Sequence, residues 1–220
     1  MHPLAAIVWK DLLLDLRTKE MVIPMLIFAL LVCVIFNFVF DPAPKIVIIV
    51  VPGVLWVSFT FAGILGLTRS FMLEKECESI EGLMVCPISR DTIYLGKFLS
   101  SFMLLIIFEF IMLPIFSILY DLPIFLPELW LVVILTTFGF SAVGTPFSMM
   151  AVNTRAKEVM LPLIYFPIVV PAIIAAVETT GRILQGDPWG SYAQWLGLLV
   201  AFDAVFLVVA TLTFDSILGE

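Results

Sequence analysis

The stretch IVIIVVPGVLWVSFTFAGILGL, residues 46–67, carries no Asp, Glu, Lys or Arg anywhere along its length. An apolar helix of about 20 residues, rising about 1.5 Å per residue, matches the roughly 30 Å hydrocarbon core of a bilayer. Any non-helical backbone there would present unsatisfied N–H and C=O groups to lipid, so the stretch is read as a membrane-crossing helix. Working outward, five more such segments can be drawn: Met21–Phe40 before it, and Phe98–Tyr120, Leu126–Val152, Val159–Val177 and Tyr192–Phe214 after it.

Composition agrees. Of 220 residues 62% are apolar and 13% charged, against roughly 45–50% and about 25% in ordinary globular chains. A soluble fold of this size would leave large apolar patches facing water, so lipid is the expected solvent. The net charge of −7 argues against a nucleic-acid partner, because such proteins gather Lys and Arg to neutralise phosphate. Met1 to Glu20 lacks the short apolar core and small-residue cleavage site of a secretory signal, and the first span is expected to remain in the mature protein.

Orientation follows from the basic residues, which are retained on the cytoplasmic side in short loops. Lys10, Arg17 and Lys19 precede the first span, Arg69, Lys75, Arg90 and Lys97 fall between the second and third, and Arg155 and Lys157 between the fourth and fifth. Only Lys45 and Arg182 fall on the other face. The expectation is an all-α polytopic membrane protein with six transmembrane helices and both termini cytoplasmic. A seven-span reading would break that agreement. The organisation is an N-terminal segment 1–20, a permease domain 21–215 with a cytoplasmic loop 68–97, and a short tail 216–220.

Two cytoplasmic segments are amphipathic. Ala5, Val8, Trp9, Leu12, Leu13 and Leu16 recur at helical spacing, with Lys10, Asp11 and Arg17 off that stripe, which predicts a helix lying in the membrane surface with Trp9 at headgroup depth. The other reading is a cytoplasmic extension of the first span. In the loop, Leu73, Cys77, Ile80 and Met84 share one helical face, with Glu74, Lys75, Glu78 and Glu81 around the rest. Pro87 is expected to end that helix, and Arg90-Asp91 to begin a turn that returns to the membrane at Lys97. The charged face is either simply solvated or a docking surface for a cytoplasmic partner.

Chemistry is sparse. No GxxxxGK[ST], GxSxG or HExxH pattern occurs, and the single histidine is His2. No catalytic, cofactor or metal site is therefore assigned. Cys33, Cys77 and Cys86 lack metal-ligand spacing and are read as reduced thiols. Two acids, Glu109 and Asp203, stand near the middle of spans three and six, where they serve either as hydrogen-bonding links between helices or as the lining of a transport path. An intramembrane enzyme using this pair as acid and base would need a nucleophile or metal that the sequence does not supply. Helix interruptions are expected at Gly139, Gly144 and Pro146 in span four and at Pro162, Pro167 and Pro171 in span five, as packing kinks or as hinges. Small residues four apart, Ala62 with Gly66 and Ser141 with Thr145, permit close helix contact.

Three segments carry a family resemblance. Val51-Pro52-Gly53-Val54-Leu55-Trp56-Val57 resembles the Pro-Gly-x-x-Trp stretch of the cytochrome c maturation haem exporter protein B family, CcmB. Ser79-Ile80-Glu81-Gly82-Leu83-Met84-Val85-Cys86-Pro87-Ile88 is similar to that family's Leu-Glu-x-Leu-Met-x-x-Pro connection, and Gly139 to Pro146 to its small-residue segment in span four. The acidic tract from Glu74 to Glu81 is this chain's own. The resemblance spans essentially the whole chain and implies a multi-pass subunit in the cell inner membrane, part of an ABC-type complex. It implies a separate ATPase subunit, small haem-handling membrane partners and an extracytoplasmic haem chaperone, with ATP used by the partner, haem handled by the complex, and no cofactor held by this chain. It implies two copies per complex, since ABC machines use paired ATPase sites. On that reading Leu73, Ile80, Leu83 and Met84 are apolar anchors for the ATPase, and Glu78 and Glu81 set its register. The competing reading is an ABC-2-type permease subunit exporting a lipid, drug or polysaccharide, separated from the first by the Pro52-Gly53-Trp56 cluster.

Overall fold

The computed structural model describes residues 3–39, 44–76, 82, 88–123, 126–152 and 157–217. Among them the chain is helical: α1 (Pro3–Thr18), α2 (Val22–Val39), α3 (Pro44–Glu76), α4 (Arg90–Tyr120), α5 (Pro127–Val152), α6 (Lys157–Gln185) and α7 (Trp189–Ile217). Six of these helices, α2 to α7, are long and apolar enough to cross a membrane. They overlap the expected spans, though α3 runs on to Glu76, α4 begins at Arg90 rather than at Phe98, and α6 continues to Gln185 rather than ending at Val177.

Local chemistry sets the ends. Lys19 takes a left-handed φ of 57° and separates α1 from α2. The Ser89 hydroxyl accepts the Thr92 N–H at 3.3 Å and Asp91 occupies the first turn of α4, so Arg90-Asp91 start a capped helix instead of a turn. Asp121 closes α4 in the left-handed conformation, its N–H directed to the Ser117 carbonyl. Gly186, at φ +76°, closes α6, where Asp187 N–H reaches the Arg182 carbonyl at 3.0 Å.

The expected interruptions do not break the helices. Pro146 lies inside α5, and Pro162, Pro167 and Pro171 lie inside α6, each helix continuing past its prolines. In α5 the glycines instead serve close approach: a methyl at Gly144 would collide with Leu67 of α3, and one at Gly139 would meet Asp203 and Phe202 of α7. Gly66 of α3 is likewise pressed against Met25, which makes α2 the partner of the Ala62/Gly66 face.

Helix α5 is the hub, packed against α3, α4, α6 and α7, while α2 lies on α3 and α4. Phe71, Ile93, Tyr94, Phe98, Ala142, Met149 and Ala210 form one apolar cluster, which brings together the end of α3, the start of α4 and the ends of α5 and α7. Helix α1 packs beside that end, against α4.

Candidate functional site

The N-terminal helix is turned opposite to what its apolar stripe suggests for a helix in water. Its inward face is Ile7, Asp11 and Asp15, with Asp11 3% and Asp15 5% exposed, while Trp9 (65%), Leu13 (43%) and Leu16 (43%) face outward. An outward apolar face is what an interfacial helix requires, because lipid covers it. Residues 7, 11 and 15 are four apart and so stack on one side of the helix. Ile7 fits directly against Gly96 of α4, where a methyl would stand 2.8 Å from its branch.

Asp11 is held by charge. The Lys97 ammonium, in the second turn of α4, donates to Asp11 Oδ2 at 2.8 Å, both side chains being almost fully buried. Ser100 stands 3.4 Å from the same oxygen, and Lys10 Nζ lies 2.9 Å from Oδ1. Lys97, expected as a cytoplasmic loop charge, is thus a buried clasp between α1 and α4. One turn along α1, Asp15 Oδ2 meets the Ser70 hydroxyl of α3 at 3.4 Å. On the surface Arg69 of α3 pairs with Glu20 at 2.7 Å. Helix α1 is therefore tied to α3 and to α4 at the ends that lead into and out of their connecting loop. In that loop, Glu78, Ile80, Glu81, Leu83, Met84, Cys77, Cys86 and Pro87 lie outside the described residues. Leu73 sits half-buried in the last turns of α3, and Gly82 is exposed.

Inside the bundle, Glu109 of α4 accepts the Thr137 hydroxyl of α5 at 2.6 Å and is 3% exposed. Asp203 of α7 approaches α5 from another side, its Oδ1 lying 2.5 Å from where a methyl on Gly139 would stand. Both acids thus bear on one turn of α5. Within the described contacts they are not bonded to each other, and Asp203 has no hydrogen-bond partner on either oxygen.

The Pro-Gly-x-x-Trp stretch lies at the opposite end of α3 from α1. Trp56 is completely buried and donates Nε1–H to Thr180 Oγ1 of α6 at 2.9 Å. Pro52 packs 3.7 Å from the methyl position of Gly181 and, with Leu55, Leu113, Phe116 and Thr180, lines a small apolar cavity. Gly53 differs from its neighbours: a methyl there would meet nothing within 4 Å. The Trp56–Thr180 bond is a contact that sequence reading did not anticipate, since a threonine in an apolar run carries no signal of its own.

Among the described residues no three His, Cys, Asp or Glu side chains gather to hold a metal. What the arrangement offers is mechanical: a clasped base, a carboxylate-bearing core and a packed far end, all joined through long continuous helices.

A family model described as CcmB protein matches residues 2–218. The chain is 30% identical over 164 residues to Heme exporter protein B of Rhodobacter capsulatus, covering 73% of this chain and 74% of that protein. It is 26% identical over 190 residues to Heme exporter protein B of Pseudomonas aeruginosa, covering 86% and 85%. Against Heme exporter protein B of Escherichia coli K12 it is 26% identical over 213 residues, covering 92% and 94%.

Proposed function

The chain belongs to the CcmB protein family, and from that premise we propose that it is the multi-pass membrane subunit of a haem-export complex serving cytochrome c biogenesis. In this reading a separate ATPase docks on the cytoplasmic loop between α3 and α4, two copies of the chain form the membrane portion, and the complex sits in the cell inner membrane. ATP hydrolysis is then coupled to release of a haem-loaded extracytoplasmic chaperone, with haem handled together with small membrane partners. Haem and ATP are bound by those partners.

The observation that carries the reading is the clasp. The sequence has no phosphate-binding loop, so work from ATP must enter by contact with another polypeptide. A push on the α3–α4 connection is well placed to spread, because Lys97–Asp11 and Asp15–Ser70 tie both flanking helices to α1, and Arg69–Glu20 ties α3 to the residues just after it. From there α4 runs unbroken past Glu109 to Tyr120, which gives a displacement at its base a direct route into the membrane. Outward-facing Trp9, Leu13 and Leu16 would keep α1 afloat in the headgroup layer while it moves.

The test is charge reversal in the loop, Glu78→Lys with Glu81→Lys, in the purified complex. The expected result is that ATP hydrolysis continues while release of the haem-loaded chaperone no longer follows it. Wild-type coupling in that variant would contradict the assigned docking surface.

A further inference from the structure

Hydroxyls buried in membrane helices normally satisfy themselves by bonding back to the carbonyl four residues earlier. In α3, Ser58, Thr60 and Thr68 do this at 2.6, 2.7 and 2.7 Å, and in α6 Thr179 does so at 2.7 Å. Helix α5 keeps the pattern at Thr137, which bonds back to the Val133 carbonyl at 2.7 Å, but departs from it at four other positions. Thr136, Ser141, Thr145 and Ser148 are fully buried, yet their hydroxyls have no partner among the described residues. The other buried side chain left without any partner on an acidic group is Asp203, 6% exposed, and it faces the same helix at Gly139. Thr136 stands one turn before Gly139, on the face of α5 that Asp203 approaches.

A buried carboxyl and a buried hydroxyl with no partner are each destabilising, and a molecule that can both donate and accept removes both penalties at once. An internal water does so when the site is polar and offers it two or more partners. Lipid and apolar cargo cannot. We propose that Asp203 and Thr136 form an internal water site between α7 and α5, in which one ordered water donates to the Asp203 carboxyl and bonds the Thr136 hydroxyl. Gly139 is what lets the carboxyl come close enough to α5, since a side chain there would displace it. The centre of the bundle is thus wetted at α5, which packs against α3, α4, α6 and α7.

The sign of a stability change tests this. Thr136→Val keeps shape and removes the hydroxyl. If the hydroxyl holds water, the variant's unfolding temperature in detergent falls by a few degrees. If the hydroxyl is dry, removing it raises the temperature or leaves it unchanged, which overturns the proposal. In an Asp203→Ala background, where the water has lost its anchor, Thr136→Val is expected to have little further effect, and full additivity of the two losses would refute a shared water. Should Asp203→Ala yield no folded protein, Asp203→Asn, which still bonds water, replaces it. Thr136→Val is then expected to keep its full cost, and its becoming stabilising would count as refutation.

Discussion

The base of the bundle and its centre both bury ionisable groups, and they treat them in opposite ways. At the base, Asp11 meets the Lys97 ammonium at 2.8 Å, with Ser100 and Lys10 gathered around the same carboxylate. At the centre, Asp203 has neither a cation nor a donor among the described residues, and Glu109 has only the Thr137 hydroxyl. A closed pair resists separation and suits a joint that must move as one piece. A carboxyl left without a partner beside a glycine is held by packing alone, and suits a place where the interior changes during a cycle.

That contrast can be broken by substitution. Lys97→Met would leave Asp11 buried without its principal cation, and stability should fall by about 3–5 kcal/mol, towards the lower figure because Lys10 remains nearby. Thermal or denaturant unfolding of the purified chain reads this, and the double variant Asp11→Leu with Lys97→Met should recover most of the loss, since a well-packed apolar pair removes the desolvation cost. A silent Lys97→Met would mean that the clasp is not buried.

At the centre, Gly139→Ala places a methyl 2.5 Å from Asp203 and 3.0 Å from the Phe202 ring. Overpacking of that kind should cost about 1–3 kcal/mol. Gly53→Ala is its control: with nothing within 4 Å, it should leave stability unchanged or raise it by up to about 1 kcal/mol through the helix preference of alanine. Equal losses at the two glycines would erase the distinction between a packed interior and an open position at the motif. The smallest effect belongs to Arg69→Ala, whose pair with Glu20 is exposed on both sides. A loss below about 1 kcal/mol is expected, shrinking further in high salt.

Much of the architecture was legible because lipid imposes a length. Val22–Val39 and Pro127–Met150 fall within a few residues of where uncharged runs of the chain begin and end. In α1 the apolar stripe was legible as the side for the membrane surface, but the inward turn of Asp11 and Asp15 was not. Hydrophobic stripes locate the buried side of a helix in water, but beside a membrane both directions away from water are apolar, so Trp9 and Leu13 could face out while Asp11 turned in. Lys97 was read from its neighbours as a loop charge, and only the capped start of α4 at Ser89 places it inside a helix opposite Asp11. The two intramembrane acids stood out in the sequence as carboxyls among apolar residues, and both are buried. Their common neighbour, α5, did not, because Thr137 and Gly139 are ordinary residues for a membrane span. The prolines of α6 were legible as kink or hinge positions, and the helix passes through Pro162, Pro167 and Pro171 without ending.

The most direct test of the whole account is what this chain brings with it when purified from membranes in mild detergent. A nucleotide-hydrolysing subunit in equal copy number together with a haem-bearing chaperone is expected, and no ATP hydrolysis once the chain is isolated from that subunit. Recovery of the chain with neither companion, or hydrolysis of ATP by the chain alone, would contradict it.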